Sequence, residues 1–193
     1  MNKLELSIIH DKLTRQHSQR VSLIVRILAE KMNEIIPDIN CELLSQAALY
    51  HDIGKSMIPN SILNKQDKLS EEEFAIMKSH SQKGADIIQS FTSNNLMLKT
   101  AYEIARWHHE RYDGRGYPDN LKGNDIPLAA QITSIADAYD ALTSERPYKK
   151  QLSPEIALEM IINGKCGCFN PLIVNCFIAC QAQIESYIIQ CMK

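Results

Sequence analysis

We predict an all-α fold for this chain, and three observations support the prediction. Apolar residues recur at helical spacing through most of the 193 residues, alternating strand-like runs are scarce, and several glycines and prolines fall between the apolar segments. Hydrophobic residues make up 45% of the chain and charged residues 23%, as in an ordinary globular domain. A chain of this length can bury a sizeable core, so we expect one domain over residues 1–193.

The apolar periodicity predicts eight helices, which follow one another without an internal repeat or a flexible linker. In order they span Leu13–Asn33, Glu42–Ile53, Glu71–Lys78, Gln82–Phe91, Leu96–Glu110, Leu128–Leu142, Pro154–Asn163 and Leu172–Cys191. Two of them have clear start signals, because Ser70 and Ser153 each suit an N-cap and are followed by acidic residues in the first turn. The pattern indicates one compact bundle.

Helix breakers separate these segments and mark one long loop. Gly54 and Pro59 follow the second predicted helix, and Pro147 follows the sixth. Residues 111–127 are too polar for the core and contain several glycines and prolines. We therefore predict a functional loop there.

Charge, hydropathy and cysteine content exclude several classes of protein. The formal net charge of -2 provides no basic stripe for a nucleic acid polymer, so an anionic substrate must meet locally placed cations. No apolar run is long enough to span a membrane, and the N-terminus lacks a signal-peptide core, so we expect a cytoplasmic protein that binds no membrane. The six cysteines include no CxxC pair and need not form disulfides.

Five of the six histidines lie in segments rich in other site-type residues: His17, His51, His80, His108 and His109. A single histidine is more often an ordinary residue, but a set placed beside carboxylates, helix ends and small residues favours metal ligation. The last two belong to HHERYDGRGYP at 108–118, where a histidine pair precedes a glycine-rich turn. This segment indicates metal ligands followed by a loop whose backbone can approach a bound ligand.

Two carboxylates occur in segments that are otherwise apolar. Asp52 follows His51 late in the second predicted helix, and Asp137 lies among Ile135, Ala136 and Ala138 in the sixth. A buried carboxylate needs a charged partner or a metal, although a His-Asp dipeptide alone is more often an ion pair at a helix end. With five imidazoles, the two carboxylates provide enough ligands for two divalent ions.

Taken in order, these segments resemble an HD-GYP domain, the group within the HD superfamily of metal-dependent phosphohydrolases that is associated with cyclic di-GMP breakdown. The similarity runs from about Thr14 to Pro171, before a C-terminal helix at about 172–191. It rests on HDIGK at 51–55, IPNSILNK at 58–65, HHERYDGRGYP at 108–118 and IADAYDALTSERPYKK at 135–150. The resemblance implies a single HD-domain helical bundle.

The resemblance also implies two divalent metal ions, iron or manganese. The ligands of the first would be His17, His51, Asp52 and Asp137, and Asp52 would bridge to a second ion that is also held by His80, His108 and His109. Mixed imidazole and carboxylate ligands suit iron or manganese. The implied reaction is phosphodiester hydrolysis through a metal-bound hydroxide, with Asp52 and Lys55 as its catalytic residues.

Substrate residues follow from the same resemblance. Lys55 matches the family lysine at the scissile phosphate, and Arg146 and Lys149 match positions that grip phosphate. Without the neighbouring motifs, however, Arg146–Lys150 would be interpreted as a solvated surface, with Lys149 and Lys150 hard to distinguish, and Lys55 as a cation at a helix C-terminus.

Three further residues complete the expected site. Gly116 and Tyr117 are expected to face the substrate, although Tyr117 with Pro118 could instead only close the loop. Asp140, one turn after Asp137, is expected either to orient a metal ligand or to bind substrate.

The chain departs from the family pattern at two places. Leu13 stands where some HD-GYP proteins have a glutamate ligand to a third metal, so we expect two metals. CGCFNP at 166–171 replaces a usual Gly-Thr-x-Phe-Asp-Pro-like stretch, with Asn170 in place of the aspartate. Asn170 could still cap the last helix, because asparagine caps as well as aspartate.

The expected function is hydrolysis of cyclic di-GMP to linear pGpG, GMP or both. The alternatives are an HD phosphohydrolase that acts on another cyclic dinucleotide, and a catalytically silent module that binds cyclic di-GMP or a protein. Because His17 comes too early for a preceding receiver domain, we expect either a standalone hydrolase or regulation through a protein partner or a short N-terminal helix. A homodimer is compatible with this interpretation.

Overall fold

The computed structural model describes residues 12–91, 95–144 and 151–191, and all regular secondary structure in these ranges is helical. The α-helices are α1 (Lys12–Asn33), α2 (Cys41–Ala48), α3 (Asn60–Leu63), α4 (Glu71–Lys78), α5 (His80–Gln89), α6 (Leu96–Trp107), α7 (Leu128–Thr143), α8 (Pro154–Ile162) and α9 (Pro171–Cys191). Two short 3-10 helices span Ile53–Met57 and Gly123–Asp125. The all-α prediction is confirmed.

Helix α1 is the centre of the bundle, because it packs against α2, α7 and α9. Its inner face carries Val21, Ile24, Val25 and Leu28, which have no exposed surface. Burial of such a side chain stabilises the fold by about 1.5 to 3 kcal/mol. Helix α6 joins α2, α5 and α7 on the other side, so every helix that carries a candidate ligand is fixed by the core.

The predicted start signals are present in the structure. Ser70 and Glu73 form a reciprocal capping box at the start of α4, and the Ser153 side chain accepts a hydrogen bond from the amide of Ile156 in α8. The Asn170 side chain accepts a hydrogen bond of 3.0 Å from the amide of Leu172, so it caps α9.

The second predicted helix is the clearest error in the sequence-based boundaries. It was expected to reach Ile53, but α2 ends at Ala48 and the chain tightens into a 3-10 helix from Ile53. The cause is tertiary packing: a Cβ on Gly54 would lie 2.0 Å from the carbonyl oxygen of His80, so this turn lies directly on the backbone of α5. His51 and Asp52 therefore lie in a turn and not within a helix.

Smaller differences from the predicted helices accompany it. The helix expected to reach Glu110 ends at Trp107, the one expected from Gln82 begins at His80, and the short α3 was not predicted. None of the helices in the described ranges is both long and apolar enough to cross a membrane.

Candidate metal centre

Five elements bring the candidate ligands together. His17 lies on α1, His51 and Asp52 lie in the turn after α2, and His80 is the first residue of α5. His108 and His109 follow the end of α6, and Asp137 and Asp140 lie on α7. The side chains of His51 and His108 are fully buried, and that of Asp52 is 2% exposed. A polar cluster this deep requires internal partners.

Asp52 lies at the centre of the cluster, and each of its two carboxylate oxygens faces two imidazole rings. Its Oδ2 lies 3.3 Å from His51 Nε2 and 3.6 Å from His17 Nε2. Its Oδ1 lies 3.3 Å from His80 Nε2 and 3.9 Å from His108 Nε2. One carboxylate thus joins two groups of imidazoles, as a bridging ligand would.

The hydrogen bonds of the imidazoles assign their tautomers. The Nδ1 atoms of His51, His80 and His108 lie 2.9, 2.8 and 2.9 Å from the carbonyl oxygens of Ala48, Met77 and Ile104. His17 Nδ1 lies 2.6 Å from an oxygen of Asp140. The backbone carbonyls require the proton on Nδ1 of His51, His80 and His108, which leaves an unprotonated Nε2 directed at Asp52 in each neutral ring, whereas His17 also lies 3.0 Å from Asp137 Oδ1 through its Nε2.

The inward-facing atoms lack protein donors. His51 Nε2 lies 3.2 Å from His17 Nε2, and His80 Nε2 lies 3.4 Å from His108 Nε2. In the second pair neither ring carries a proton on Nε2 to donate. Asp52 Oδ1 is buried without a hydrogen-bond partner in the described part of the chain. Acceptors placed this closely fit cations between them.

Two overlapping groups of atoms can each hold an ion. Asp52, His80, His108 and His109 form one, and His17, His51 and Asp52 form the other, with ligand atoms within 4.8 Å of one another. Asp137 borders both, because its Oδ1 lies 3.0 Å from His17 Nε2 and its Oδ2 lies 4.0 Å from His109 Nδ1. The seven side chains expected from the sequence thus converge on one place.

The electrostatics keep most of the imidazoles neutral. Burial lowers the pKa of His80, of His109 and of His108, the last to about 3, and the neighbouring histidines lower it further. Neutral imidazole is the form that binds a metal. His17 differs, because its hydrogen bonds to Asp137 and Asp140 outweigh burial and raise its pKa.

Both central carboxylates stay ionised. Burial would raise the pKa of Asp52, but the charge of Lys55 lowers it well below its ordinary value. Burial would likewise raise the pKa of Asp137, and its hydrogen bond with His17 lowers it. An ionised carboxylate is the form that ligates a divalent cation.

Asp140 contacts His17 and Arg20 and is not among the residues that line the cleft described below. Its side chain is 1% exposed and lies 2.6 Å from His17 Nδ1, and it accepts hydrogen bonds of 2.6 and 3.0 Å from Arg20. Of the two roles expected for Asp140, this geometry favours the orientation of His17 over a contact with substrate. The sequence did not reveal Arg20, although its place three residues after His17 puts both on one face of α1.

A cleft of about 560 Å³ opens beside the cluster. His80, His109, Lys55 and Tyr117 line it from the side of the candidate metal centre, and its remaining lining residues are Ile62, Leu63, Lys65, Gln66, Asp67, Lys68, Leu69 and Met77. This volume lies in the range of small-molecule sites. The sequence assigned no role to the motif at 58–65, and three of its residues, Ile62, Leu63 and Lys65, line this cleft.

Lys55 and Tyr117 both line the cleft beside the cluster. The Lys55 ammonium lies 2.5 Å from Asp52 Oδ2 and is partly exposed, so it connects the cluster with the cleft. The Tyr117 ring stacks on His109, with centroids 4.7 Å apart. Arg146 and Lys149 lie outside the described residues.

Gly116 has a packing role. It is buried and does not line the cleft, and a Cβ there would lie 2.3 Å from the Cα of Glu110. The glycine therefore lets the loop lie on the backbone beside the histidine pair, which places Tyr117. The expected contact of Gly116 with substrate has no support in this placement.

Comparison with known proteins agrees with the fold. A family model described as an HD domain matches residues 3–167. The cyclic di-GMP phosphodiesterase response regulator RpfG of Xanthomonas campestris pv. campestris is 38% identical over 86% of this chain and 43% of its own length. A 3'3'-cGAMP-specific phosphodiesterase 2 of Vibrio cholerae is 39% identical over 84% of this chain and 30% of its own. The chain thus spans less than half of each of these relatives.

Solved structures show the same fold. Bd1817, an HDG"Y"P protein from Bdellovibrio bacteriovorus, is similar with a TM-score of 0.67 at 25% identity, over 84% of this chain and 50% of that one. The HD domain of the L. monocytogenes phosphodiesterase PgpH, in complex with cyclic-di-AMP, is similar with a TM-score of 0.58 at 20% identity, over 89% and 91%. The second likeness concerns the fold alone.

Proposed function

The chain belongs to the HD-domain family, in its HD-GYP group, and from this we propose that it is a metal-dependent phosphodiesterase that hydrolyses cyclic di-GMP. Relatives named cyclic di-GMP phosphodiesterases are 34 to 38% identical over most of the chain. Relatives named 3'3'-cGAMP-specific phosphodiesterases are equally similar, at 34 to 39%. A mixed cyclic dinucleotide is therefore the second candidate substrate.

One observation carries the proposal: the unprotonated Nε2 atoms of His51, His80 and His108 and an unpartnered Asp52 oxygen converge in the protein interior. Without a cation, this arrangement sets lone pair against lone pair and leaves a buried acceptor unsatisfied. Stability alone does not explain it, because apolar residues of similar volume would fill the space at lower cost.

We assign the ligands as follows. His17, His51, Asp52 and Asp137 would hold one divalent ion, and Asp52, His80, His108 and His109 would hold the other. Mixed nitrogen and oxygen donors favour iron or manganese. Leu13 is an exposed residue of α1 and cannot coordinate, which supports two ions over three.

Bound divalent ions would supply an activated water and a positive charge that polarises the phosphodiester. The protein contributes the rest. Asp140 holds the proton of His17 on Nδ1, so that Nε2 stays free to ligate. Lys55 places an ammonium at the boundary of cluster and cleft, where it would bind a phosphate oxygen and stabilise the charge that builds up on the leaving oxygen.

Further cations are required for a substrate with two phosphodiesters. Lys65 and Lys68 line the cleft, and we propose that Arg146 and Lys149 add to them. A cytoplasmic location, regulation by a protein partner and a homodimer remain proposals of the same kind. So does a single domain over 1–193 with a core at about 14–171.

Product analysis tests this function. The chain is loaded with manganese under anaerobic conditions and incubated with cyclic di-GMP, and the products are separated by chromatography. We expect pGpG or GMP from the wild type and a loss of turnover of at least about a hundredfold in His51→Ala and Asp52→Ala, because each removes a ligand. Asp125→Asn, an exposed change outside the cleft, serves as the control. A loaded wild type that binds the nucleotide and leaves it intact would instead favour the silent binding module.

A further inference from the structure

One acidic side chain in the cleft is unexplained by the proposed function. Asp67 lines the cleft beside Lys68, is exposed, and has no cationic nitrogen within ion-pair distance in the described part of the chain. A substrate with two phosphodiesters brings two negative charges into this space. An unpaired carboxylate would repel such a ligand unless it accepts hydrogen bonds from it.

The segment that carries Asp67, residues 65–70, is held in place on both sides of this residue. Lys65 Nζ lies 2.7 and 2.6 Å from the two oxygens of Glu73, and the same Glu73 closes the capping box with Ser70. The irregular segment 65–70 is therefore tied to the start of α4 before and after Asp67. A fixed acceptor discriminates between ligands better than a mobile one does, because less ordering is required when the ligand binds.

Other residues that line the same cleft as Asp67 suit a nucleobase. Leu63, Leu69 and Met77 line the same cleft and offer apolar surface to the flat face of a base. Lys68 follows Asp67 and offers a charge for a phosphate. A nucleotide has a flat base face, a base edge with hydrogen-bond donors, and a phosphate. Apolar surface, a carboxylate acceptor and a cation match these three parts in turn.

The two purines differ at the edge that a carboxylate can bind. Guanine presents N1–H and N2–H₂ side by side, which match the two oxygens of a carboxylate. Adenine presents one amino donor beside the lone pair of N1, which would face a carboxylate oxygen. A carboxylate in a base pocket therefore selects guanine over adenine, and the loss of such a hydrogen-bonded pair is costly.

We propose that Asp67 determines base specificity by accepting hydrogen bonds from the guanine edge of a cyclic dinucleotide. This inference rests on the proposed function and adds the base preference of the same site. In this proposal the Asp67 carboxylate binds the base, and the lysines and the metal centre bind the phosphates.

The test compares two substrates in the full chain loaded with manganese. The values of kcat/KM are measured for cyclic di-GMP and cyclic di-AMP in the wild type, in Asp67→Asn and in Asp67→Ala. We expect both variants to lose about tenfold in kcat/KM for cyclic di-GMP, mainly through a higher KM, with no loss for cyclic di-AMP. Asp125→Asn removes one exposed negative charge outside the cleft and should leave both values unchanged.

The opposing outcomes are distinct. If Asp67 only repels anions, its removal will improve kcat/KM for both dinucleotides, and this result overturns the base-recognition role. An unchanged ratio of the two substrates overturns it as well, with the proposed function intact. A loaded wild type that hydrolyses neither dinucleotide overturns both proposals.

Discussion

At the scale of single residues, the cluster depends on proton positions as much as on distances. Each of His51, His80 and His108 directs Nδ1 to a backbone carbonyl, but His17 depends on the Asp140 side chain instead. The tautomer of His17 is therefore the one of these four that a single side-chain substitution can change.

We predict that Asp140→Asn weakens metal binding by about 10- to 100-fold. The asparagine can turn its oxygen to Arg20 and its amino group to His17, which favours the tautomer with the proton on Nε2 and blocks that atom as a ligand. Competition with a chromophoric chelator measures the dissociation constant. Unchanged metal affinity in a folded variant contradicts the orienting role of Asp140, and Asp125→Asn is the matched control.

The residues that the sequence predicted best are those with distinctive chemistry. Seven imidazole and carboxylate side chains were expected at one site, and the structure brings them together. The roles of Asp140 and Gly116 could not be separated by sequence, because orientation and packing decide them. Nor did any local pattern indicate that Asp67 lines the same cleft as His109, 42 positions later.

At the scale of elements, one close contact explains the shape of the site. The 3-10 helix that carries Lys55 lies on α5, with Gly54 facing the carbonyl of His80 and the amide of Gly84. Helical periodicity continues through this segment in the sequence, so a pattern-based prediction extends α2 to Ile53. The contact with α5 is non-local, and it overrides that preference.

We predict that Gly54→Ala lowers the free energy of unfolding by about 3 kcal/mol or more. The new Cβ would meet backbone atoms at 2.0 and 2.5 Å, and these cannot move without shifting His80. Gly123→Ala is the comparison, because it has open space and its φ of 58° costs only about 1 to 2 kcal/mol. Denaturant unfolding measures both. Similar losses in the two variants would show that the contact with α5 is unimportant.

At the scale of the whole molecule, the bundle places four buried histidines around one carboxylate in the interior. Such a centre makes folding sensitive to protons when metal is absent. The pKa values of His80, His108 and His109 are lowered by burial, whereas that of His17 is raised by its carboxylate partners.

We predict that the metal-free chain loses stability as pH falls below about 6.5, the ordinary pKa of histidine. In this window the unfolded chain takes up protons that the three buried imidazoles do not, so the free energy of unfolding falls with pH until the lowered values, about 3 for His108, are reached. His17 acts oppositely, and its contribution is lost as pH rises through its raised pKa. The Tm in the presence of a chelator should drop by several degrees between pH 7 and pH 5. A Tm that rises over this range contradicts the prediction, and His108→Gln should flatten the curve.

The fold class could be predicted from the sequence because helical periodicity extends over most of the chain. Amphipathic helices of this kind bury their apolar faces by packing against one another. The arrangement of the site did not, since α1, α5, α6 and α7 are brought together only by tertiary contacts. The resemblance to a known family supplied the pairing of ligands that periodicity alone could not.

Hydrolysis measured against added metal tests the central claim most directly. The metal-free chain is titrated with manganese under anaerobic conditions, and the rate of cyclic di-GMP hydrolysis is followed at each addition. We predict no turnover without metal and a rate that rises and then saturates at about two equivalents per chain, as expected for a two-metal centre. Two results would contradict the assignment of this cluster as a metal-dependent phosphodiesterase centre. One is full activity in the presence of a chelator, and the other is no hydrolysis after more than two equivalents of manganese have been added.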